Sequence, residues 1–291
     1  MLKKLLKKST NYLSLVKFAH TVFALPFALI GFSLAIYQMP GEFSVWLLLQ
    51  VLLCMVFARN AAMAFNRYAD RNIDKINPRT AIREIPAEVI KPKSALFFVV
   101  LNVVLFIGVT FFINRLVFYL SPIALVIVLG YSYTKRFTSL AHLVLGLGLS
   151  LSPIGAYLAV TGKFDVLPVI YSFIVLFWVA GFDIIYALQD EEFDKSQNLK
   201  SIPVFLGKNG ALNFSSFLHT LTIVFVVVAG IIGNGQILYW TGAIIFVALL
   251  IYQHFLVKPT DLSKVDIAFF TTNGIASVVF AGFVIADLLV F

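Results

Sequence analysis

The sequence predicts an all-α, polytopic membrane protein, with about nine transmembrane helices in one bundle. Composition is the first reason. Hydrophobic residues make up 60% of the chain and charged residues 12%, where a soluble domain averages about 45–50% and about 25%. Apolar runs are the second: they recur along the chain at near the 20 residues or so that cross a bilayer. Charge placement is the third, because nearly every charge falls in the breaks between those runs. The mean hydropathy of +0.96 agrees. A single domain over residues 1–291 is expected.

Met1 to Lys8 alternates Leu2, Leu5 and Leu6 with Lys3, Lys4, Lys7 and Lys8. This reads as a basic amphipathic segment, extending to residue 17, that rests on anionic headgroups. It is not followed by a short apolar stretch with a small-residue cleavage site, so it is not read as a signal peptide. The runs then follow at 20–39, 43–65, 94–113, 116–134, 139–160, 166–188, 210–232, 236–256 and 265–290. Pro40-Gly41, Asn114-Arg115, Thr161-Gly162-Lys163 and Gly233-Asn234-Gly235 mark tight turns on one side. The connections on the other side, 66–93, 135–138, 189–209 and 257–264, are charged and mostly longer. Of the 22 Lys and Arg residues, all but Arg115 and Lys163 fall on that second side, with the N-terminal segment. The positive-inside rule therefore predicts a cytoplasmic N-terminus and an external C-terminus. The same distribution explains the net charge of +8 without a nucleic-acid partner. Cys54 is the only cysteine, which excludes an internal disulfide; it is expected to be a small buried hydrophobe.

Two acid-rich segments stand out. Asn66, Asp70 and Asp74 are spaced four apart, on one helical face. Asp190 and Asp194 repeat that spacing, and Asp183 lies two turns earlier, inside an apolar run. A carboxylate at that depth is costly and a candidate functional group by default. Stacked carboxylates repel, and a hard cation relieves the repulsion. Mg²⁺ suits such sites because it takes one or two carboxylates and completes its shell with water and phosphate oxygens. Glu191 and Glu192 point elsewhere and are expected to be solvated. Basic residues share this face: Lys135 and Arg136 after Tyr131-Ser-Tyr-Thr, then Arg79 and Arg83 in the loop, then Lys91 and Lys93. The set describes a site for a metal and a polyanion. The later helix carries an acid-rich end as the earlier one does, a weak internal repeat. His142, His219 and His254 lack ligand spacing and are expected to be structural, while His20 is placed near the pocket.

The Asn-x₃-Asp-x₃-Asp after the second run, the Asp-x₆-Asp-x₃-Asp at the sixth and the Tyr-x-Lys-Arg between the fourth and fifth resemble the UbiA superfamily of intramembrane prenyltransferases. The resemblance covers nearly the whole chain. Phe18-Ala-His-Thr-Val-Phe-Ala-Leu-Pro-Phe27 and Asp183-Ile-Ile-Tyr-Ala-Leu-Gln-Asp190 are similar to its 4-hydroxybenzoate branch. One departure is Arg83-Glu84-Ile85-Pro86, where many relatives carry Arg-Pro-[Ile/Leu]-Pro. The resemblance implies Mg²⁺-dependent transfer of a polyprenyl group from polyprenyl diphosphate to a small aromatic acid, in ubiquinone or menaquinone biosynthesis. It implies that Asn66, Asp70 and Asp74 hold one Mg²⁺ and that Asp190 and Asp194 hold a second. Arg67, Arg79, Arg83, Lys91 and Lys135 become candidates for the diphosphate. Arg136, Tyr131 and Asp183 become candidates for the acceptor. Asp183, with Asp190 and Asp194, forms the catalytic set. The partners implied are these two substrates and the lipid bilayer of the inner (cytoplasmic) membrane, with the site facing the cytoplasm. Naphthoate, homogentisate and haem remain alternative acceptors. A secondary transporter is the rival outside the family, but transporters keep their key acids near the midplane. A phosphatidyl-group transferase lacks its Asp-x₂-Asp-Gly-x₂-Ala-Arg run here.

Overall fold

The computed structural model describes residues 12, 14–16 and 22–291. Most of the expected amphipathic segment, with Lys17 and His20, lies outside the described residues. Helices α1 (Leu25–Gln38), α2 (Val45–Ala69), the short α3 (Arg71–Ile76), α4 (Pro92–Ile113) and α5 (Arg115–Thr134) come first. Helices α6 (Ala141–Thr161), α7 (Val166–Ala187), the short α8 (Glu191–Ser196), α9 (Ile202–Ile232), α10 (Ile237–Leu256) and α11 (Asn273–Val290) follow. Each of the nine apolar runs holds one long helix. Among the described residues, eight helical stretches are long and apolar enough to cross a membrane, and α1 is a shorter apolar helix.

Local chemistry sets the ends. Asn114 caps α5, its Oδ1 accepting from Val117 N at 2.9 Å, and its amide also donates to Leu158 O at 2.8 Å. Asp165 caps α7 through Leu167 N at 3.0 Å. Such caps satisfy N–H groups that the helix leaves open. Gly162 ends α6 with φ 61°, a left-handed conformation that favours glycine. Asp287, buried in α11, accepts from Gln236 N at 2.9 Å and Tyr239 N at 3.0 Å. That acid, near the end of its apolar run, caps the start of α10. The α9 run begins earlier than expected, at Ile202, and its backbone breaks at Gly207.

The helices pack in a closed succession. Helix α2 lies on α4, α4 on α5, α5 on α6, α6 on α7, α7 on α9, α9 on α10, α10 on α11, and α11 on α1, which rests on α6. The main core is aromatic, with Phe27, Trp178, Phe246 and Phe280 fully buried. Small residues allow the closest approaches, as is common between membrane helices. A Cβ at Gly31 would lie 2.0 Å from Pro153 O, and one at Gly146 would lie 2.3 Å from Leu176 O. A buried polar chain pins the far side of α7: Trp178 Nε1 donates to Asn273 Oδ1 at 2.9 Å, and Asn273 donates to Gln253 Oε1 at 3.1 Å.

Candidate active site

A cavity of about 760 Å³ opens between α2, α4, α5, α6 and α7. One end is polar, lined by Asn66, Asp70, Asp74, Asp190, Asp194 and the cations that face them. The rest is apolar, and it reaches Ile113, Val117 and Phe164 near the opposite ends of their helices. Cys54 lines this apolar part and is half-buried, so it is a wall residue of the cavity and not the core hydrophobe expected.

Local folding brings each acid to the polar end. Helix α2 runs almost straight into α3: Asp70 N donates to Asn66 O at 2.9 Å and Asp74 N to Asp70 O at 2.7 Å. The four-residue spacing thus survives the helix break, and Asn66, Asp70 and Asp74 share the cavity wall. Helix α7 likewise passes through a tight turn, Leu188–Asp190, into α8. Asp183, Asp190 and Asp194 line the facing wall.

Asp70, Asp74, Asp190 and Asp194 each meet a cation. Arg79 Nε donates to Asp190 Oδ1 at 2.9 Å, and its terminal nitrogens reach Asp190 Oδ2 and, at 3.0 Å, Tyr186 Oη. Arg83 pairs with Asp74 at 2.6 Å, Lys135 with Asp194 at 3.1 Å, and Arg136 with Asp70 at 3.2 Å. Burial alone would lower the Arg79 and Lys135 pKa values, but Asp190 and Asp194 outweigh it and raise both. Burial raises the Asp70 carboxyl above its ordinary value, against the opposing bond from Arg136. Arg67, 5% exposed, also lines the cavity.

These placements separate the expected residues. Arg67, Arg79, Arg83, Tyr131, Lys135 and Arg136 all line the cavity with the acids. Lys91 does not: it is exposed and stands at the start of α4 without a capping bond from its side chain. Its loop turns away after Ile90, so charge and proximity in sequence misled. Glu192 is exposed as expected, but Glu191 is half-buried, with Oε2 enclosed and unpartnered among the described residues. The tight turn before α8 rotates Glu191 inward from the solvated position that an unbroken helix would give.

Sequence reasoning missed two polar residues. Asn77, buried in the loop, points its amide at Asp190 Oδ1 from 3.4 Å. His142 of α6, set aside as structural, lies in the cavity wall with Nδ1 2.7 Å from Asp183 Oδ2. The Asx-turn sequence Asn77-Pro78 signalled only a turn, and a lone histidine in an apolar run gave no spacing to read. Aromatic rings close the site beside Asp183: Phe23, Phe182, Tyr186, Phe269 and Phe270 line it. Tyr186 stacks on Phe269 with centroids 4.1 Å apart. The last two phenylalanines sit in a widened helical turn, Ile267–Thr272, of a kind often found at functional sites.

Two observations test whether a metal and its anion fit these residues. Among the described residues, Asp74 Oδ2 and Arg67 Nε are buried without a hydrogen-bond partner, at a typical cost of about 1–3 kcal/mol or more each. One is a free hard oxygen donor and the other a free N–H. Among the described residues, no group of three or more His, Cys, Asp or Glu is assembled to hold a metal alone. Both fit a hard cation that takes few protein oxygens and fills its shell from phosphate and water.

A model of the UbiA prenyltransferase family matches residues 24–275. The 4-hydroxybenzoate octaprenyltransferase of Tolumonas auensis is 30% identical over 228 residues, covering 78% of this chain and 79% of that protein. The enzyme of the same name from Saccharophagus degradans is 30% identical over 272 residues and 89% of each chain. Among solved structures, a UbiA homologue from Aeropyrum pernix K1 superposes with a TM-score of 0.83 at 29% identity, covering 92% of this chain and 98% of that one. A homologue from Archaeoglobus fulgidus bound to GPP and Mg²⁺ shares the fold, with a TM-score of 0.77 at 21% identity over 96% and 100% of the chains. The family match takes in both acid clusters, the helices that carry them and the cavity between, so this chain belongs to the UbiA family, whose members are prenyltransferases.

Proposed function

We propose that this prenyltransferase moves a polyprenyl chain from its diphosphate to the ring of a small aromatic acid, with 4-hydroxybenzoate as the acceptor and Mg²⁺ as the cofactor. The observation that carries the reading is the gathering of both acid clusters and their cations at one end of a long apolar cavity. An anionic head and an apolar tail need those two environments in that order. The relatives named as 4-hydroxybenzoate octaprenyltransferases favour that acceptor over naphthoate, homogentisate or haem.

Asn66, Asp70 and Asp74 would hold one Mg²⁺, and Asp190 and Asp194 a second. Bound there, the metal supplies positive charge that stabilises the departing diphosphate. Arg67, Arg79, Arg83 and Lys135 are the protein's own donors to the same oxygens, as guanidinium forks and a point charge. The apolar wall keeps water from the allylic cation left behind, and the rings of Phe182, Tyr186 and Phe269 offer it their faces. Arg136 and Tyr131 bind the acceptor's carboxylate and hydroxyl. Asp183 accepts the proton that the ring loses. The positive-inside count supports a polar end that faces the cytoplasm, and the proposed location is the inner membrane.

Membranes containing the protein, incubated with Mg²⁺, a polyprenyl diphosphate and a panel of aromatic acids, test this reading. Extraction and mass analysis should reveal prenylated 4-hydroxybenzoate. If no acceptor yields a Mg²⁺-dependent product, the reading is wrong.

A further inference from the structure

One buried polar side chain has no part in the mechanism above. His142 on α6 has a side chain only 1% exposed, and its one side-chain hydrogen bond among the described residues is the 2.7 Å contact with Asp183 on α7. Its Nε2 is buried with no partner among the described residues. His219 differs. Its Nε2 faces Trp178 O at 3.2 Å and its Nδ1 faces His254 Nε2 at 2.7 Å, so both nitrogens join helices. That is how a structural histidine is satisfied in an apolar bundle. At His142 an apolar side chain would fill the space without stranding a nitrogen. The single bond to Asp183 is therefore what calls for an imidazole.

The bond has a defined chemical effect. With its proton on Nδ1, the ring donates to Asp183 Oδ2 and fixes where that oxygen points. It also occupies that oxygen, leaving Oδ1 for a ligand in the cavity. Asp183 is 21% exposed and lines the cavity. From α5, Lys135 and Tyr131 stand within electrostatic reach of it. The scaffold is stiff here, because α6 and α7 approach at Gly146 so closely that a Cβ would strike Leu176 O. A pair held across two locked helices keeps its geometry.

We infer that His142 is a positioning residue for prenyl transfer: it fixes the rotamer of Asp183 and turns one carboxylate oxygen toward the acceptor ring. In the step it serves, the prenyl C–O bond breaks and its electron pair leaves on the diphosphate. A π pair of the ring forms the new C–C bond. The C–H pair at that carbon then returns to the ring as the proton passes to Asp183. This inference rests on the proposed reaction.

Wild-type protein in membranes comes first. If no aromatic acid is prenylated, the proposed function fails, whatever His142 does. With activity in hand, His142→Leu, His142→Gln and Asp183→Asn are compared, each checked for folding by thermal unfolding. The readouts are kcat, KM for the prenyl diphosphate, and the isotope effect from acceptor deuterated ortho to its hydroxyl. His142→Leu should lower kcat about 10²-fold, the scale of a misaligned general base. It should also raise the isotope effect toward a full primary value, with KM for the diphosphate unchanged. His142→Gln, whose amide can still donate, should recover most of kcat. The double variant His142→Leu/Asp183→Asn should be no slower than Asp183→Asn alone. Wild-type kcat and isotope effect in His142→Leu would overturn the inference. So would equal losses in the Leu and Gln variants without an isotope effect, the pattern of a packing defect. If His142→Leu does not fold, His142→Met and His142→Phe, which cannot donate either, decide: a raised isotope effect in either supports the role, and wild-type values in both refute it.

Discussion

Arg79 Nε lies 2.9 Å from Asp190 Oδ1, and the same guanidinium reaches Asp190 Oδ2 and Tyr186 Oη. One side chain thus ties the loop after α3 to the turn after α7, across the mouth of the cavity. It also stands 5.4 Å from the Tyr186 ring centroid. Lysine can reproduce the charge but not the fork. Arg79→Lys should therefore raise KM for the prenyl diphosphate and cut kcat/KM by about 10²-fold, the scale of one lost oxyanion donor. Arg79→Ala should do more, because Asp190 is left enclosed without its main partner. Steady-state kinetics at fixed Mg²⁺ will measure both.

Asp74 allows a sharper test of the metal. One of its oxygens bonds Arg83 at 2.6 Å, and the other is buried without a partner among the described residues. Asp74→Asn keeps the shape and removes the charge. The Mg²⁺ concentration for half-maximal activity should rise about 10- to 100-fold or more, since even outer partners of metal ligands are worth that much. Chelation of the wild-type protein should abolish turnover, and added Mg²⁺ should restore it. Thermal unfolding should change little on chelation, because Asp70, Asp74, Asp190 and Asp194 each already have a cationic partner.

The contrast between these residues and His142 shows what a sequence can reveal. Asn66, Asp70 and Asp74 were legible because helical spacing converts directly into a shared face, and the helix break at Asp70 preserves that register. The apolar runs were legible because bilayer thickness fixes their length. The partners were not. Arg79 and Asp190 are joined across the bundle, and no local period encodes a contact at that separation. Lys91 and Arg83 look equivalent in sequence, yet the turn at Ile90 sends one outward. Glu191 escaped because a tight turn shifts the helical phase before α8. His142 escaped because its meaning lies wholly in Asp183, on the next helix.

Gly146 links packing to catalysis. A Cβ there would meet Leu176 O at 2.3 Å, a backbone atom that cannot rotate away. Gly146→Leu should force α6 from α7 and cost about 1–3 kcal/mol or more, as overpacking does. It lies one helical turn from His142, so the His142–Asp183 bond should lengthen with it. Gly155, also on α6, has open space around its Cβ position. Gly155→Ala should leave unfolding temperature near the wild-type value. Thermal unfolding in detergent, run on both variants, separates close approach from a general intolerance of side chains on this helix.

Orientation can be tested with the single cysteine as background. Cys54→Ala removes the only thiol, and at a cavity wall position of modest volume it should leave the fold intact. A cysteine is then placed at exposed Ser263, in the loop between α10 and α11, or at exposed Asn234, in the Gly233–Gly235 turn between α9 and α10. These two positions lie at opposite ends of α10, so they report opposite faces of the membrane. In intact right-side-out vesicles, a membrane-impermeant maleimide should label Asn234→Cys and spare Ser263→Cys until the membrane is opened. The reverse pattern would invert the bundle and place the Asp clusters outside, against the asymmetry of Lys and Arg. Equal labelling before and after permeabilisation at both sites would mean the vesicles are leaky, which a soluble lumenal marker detects in the same sample.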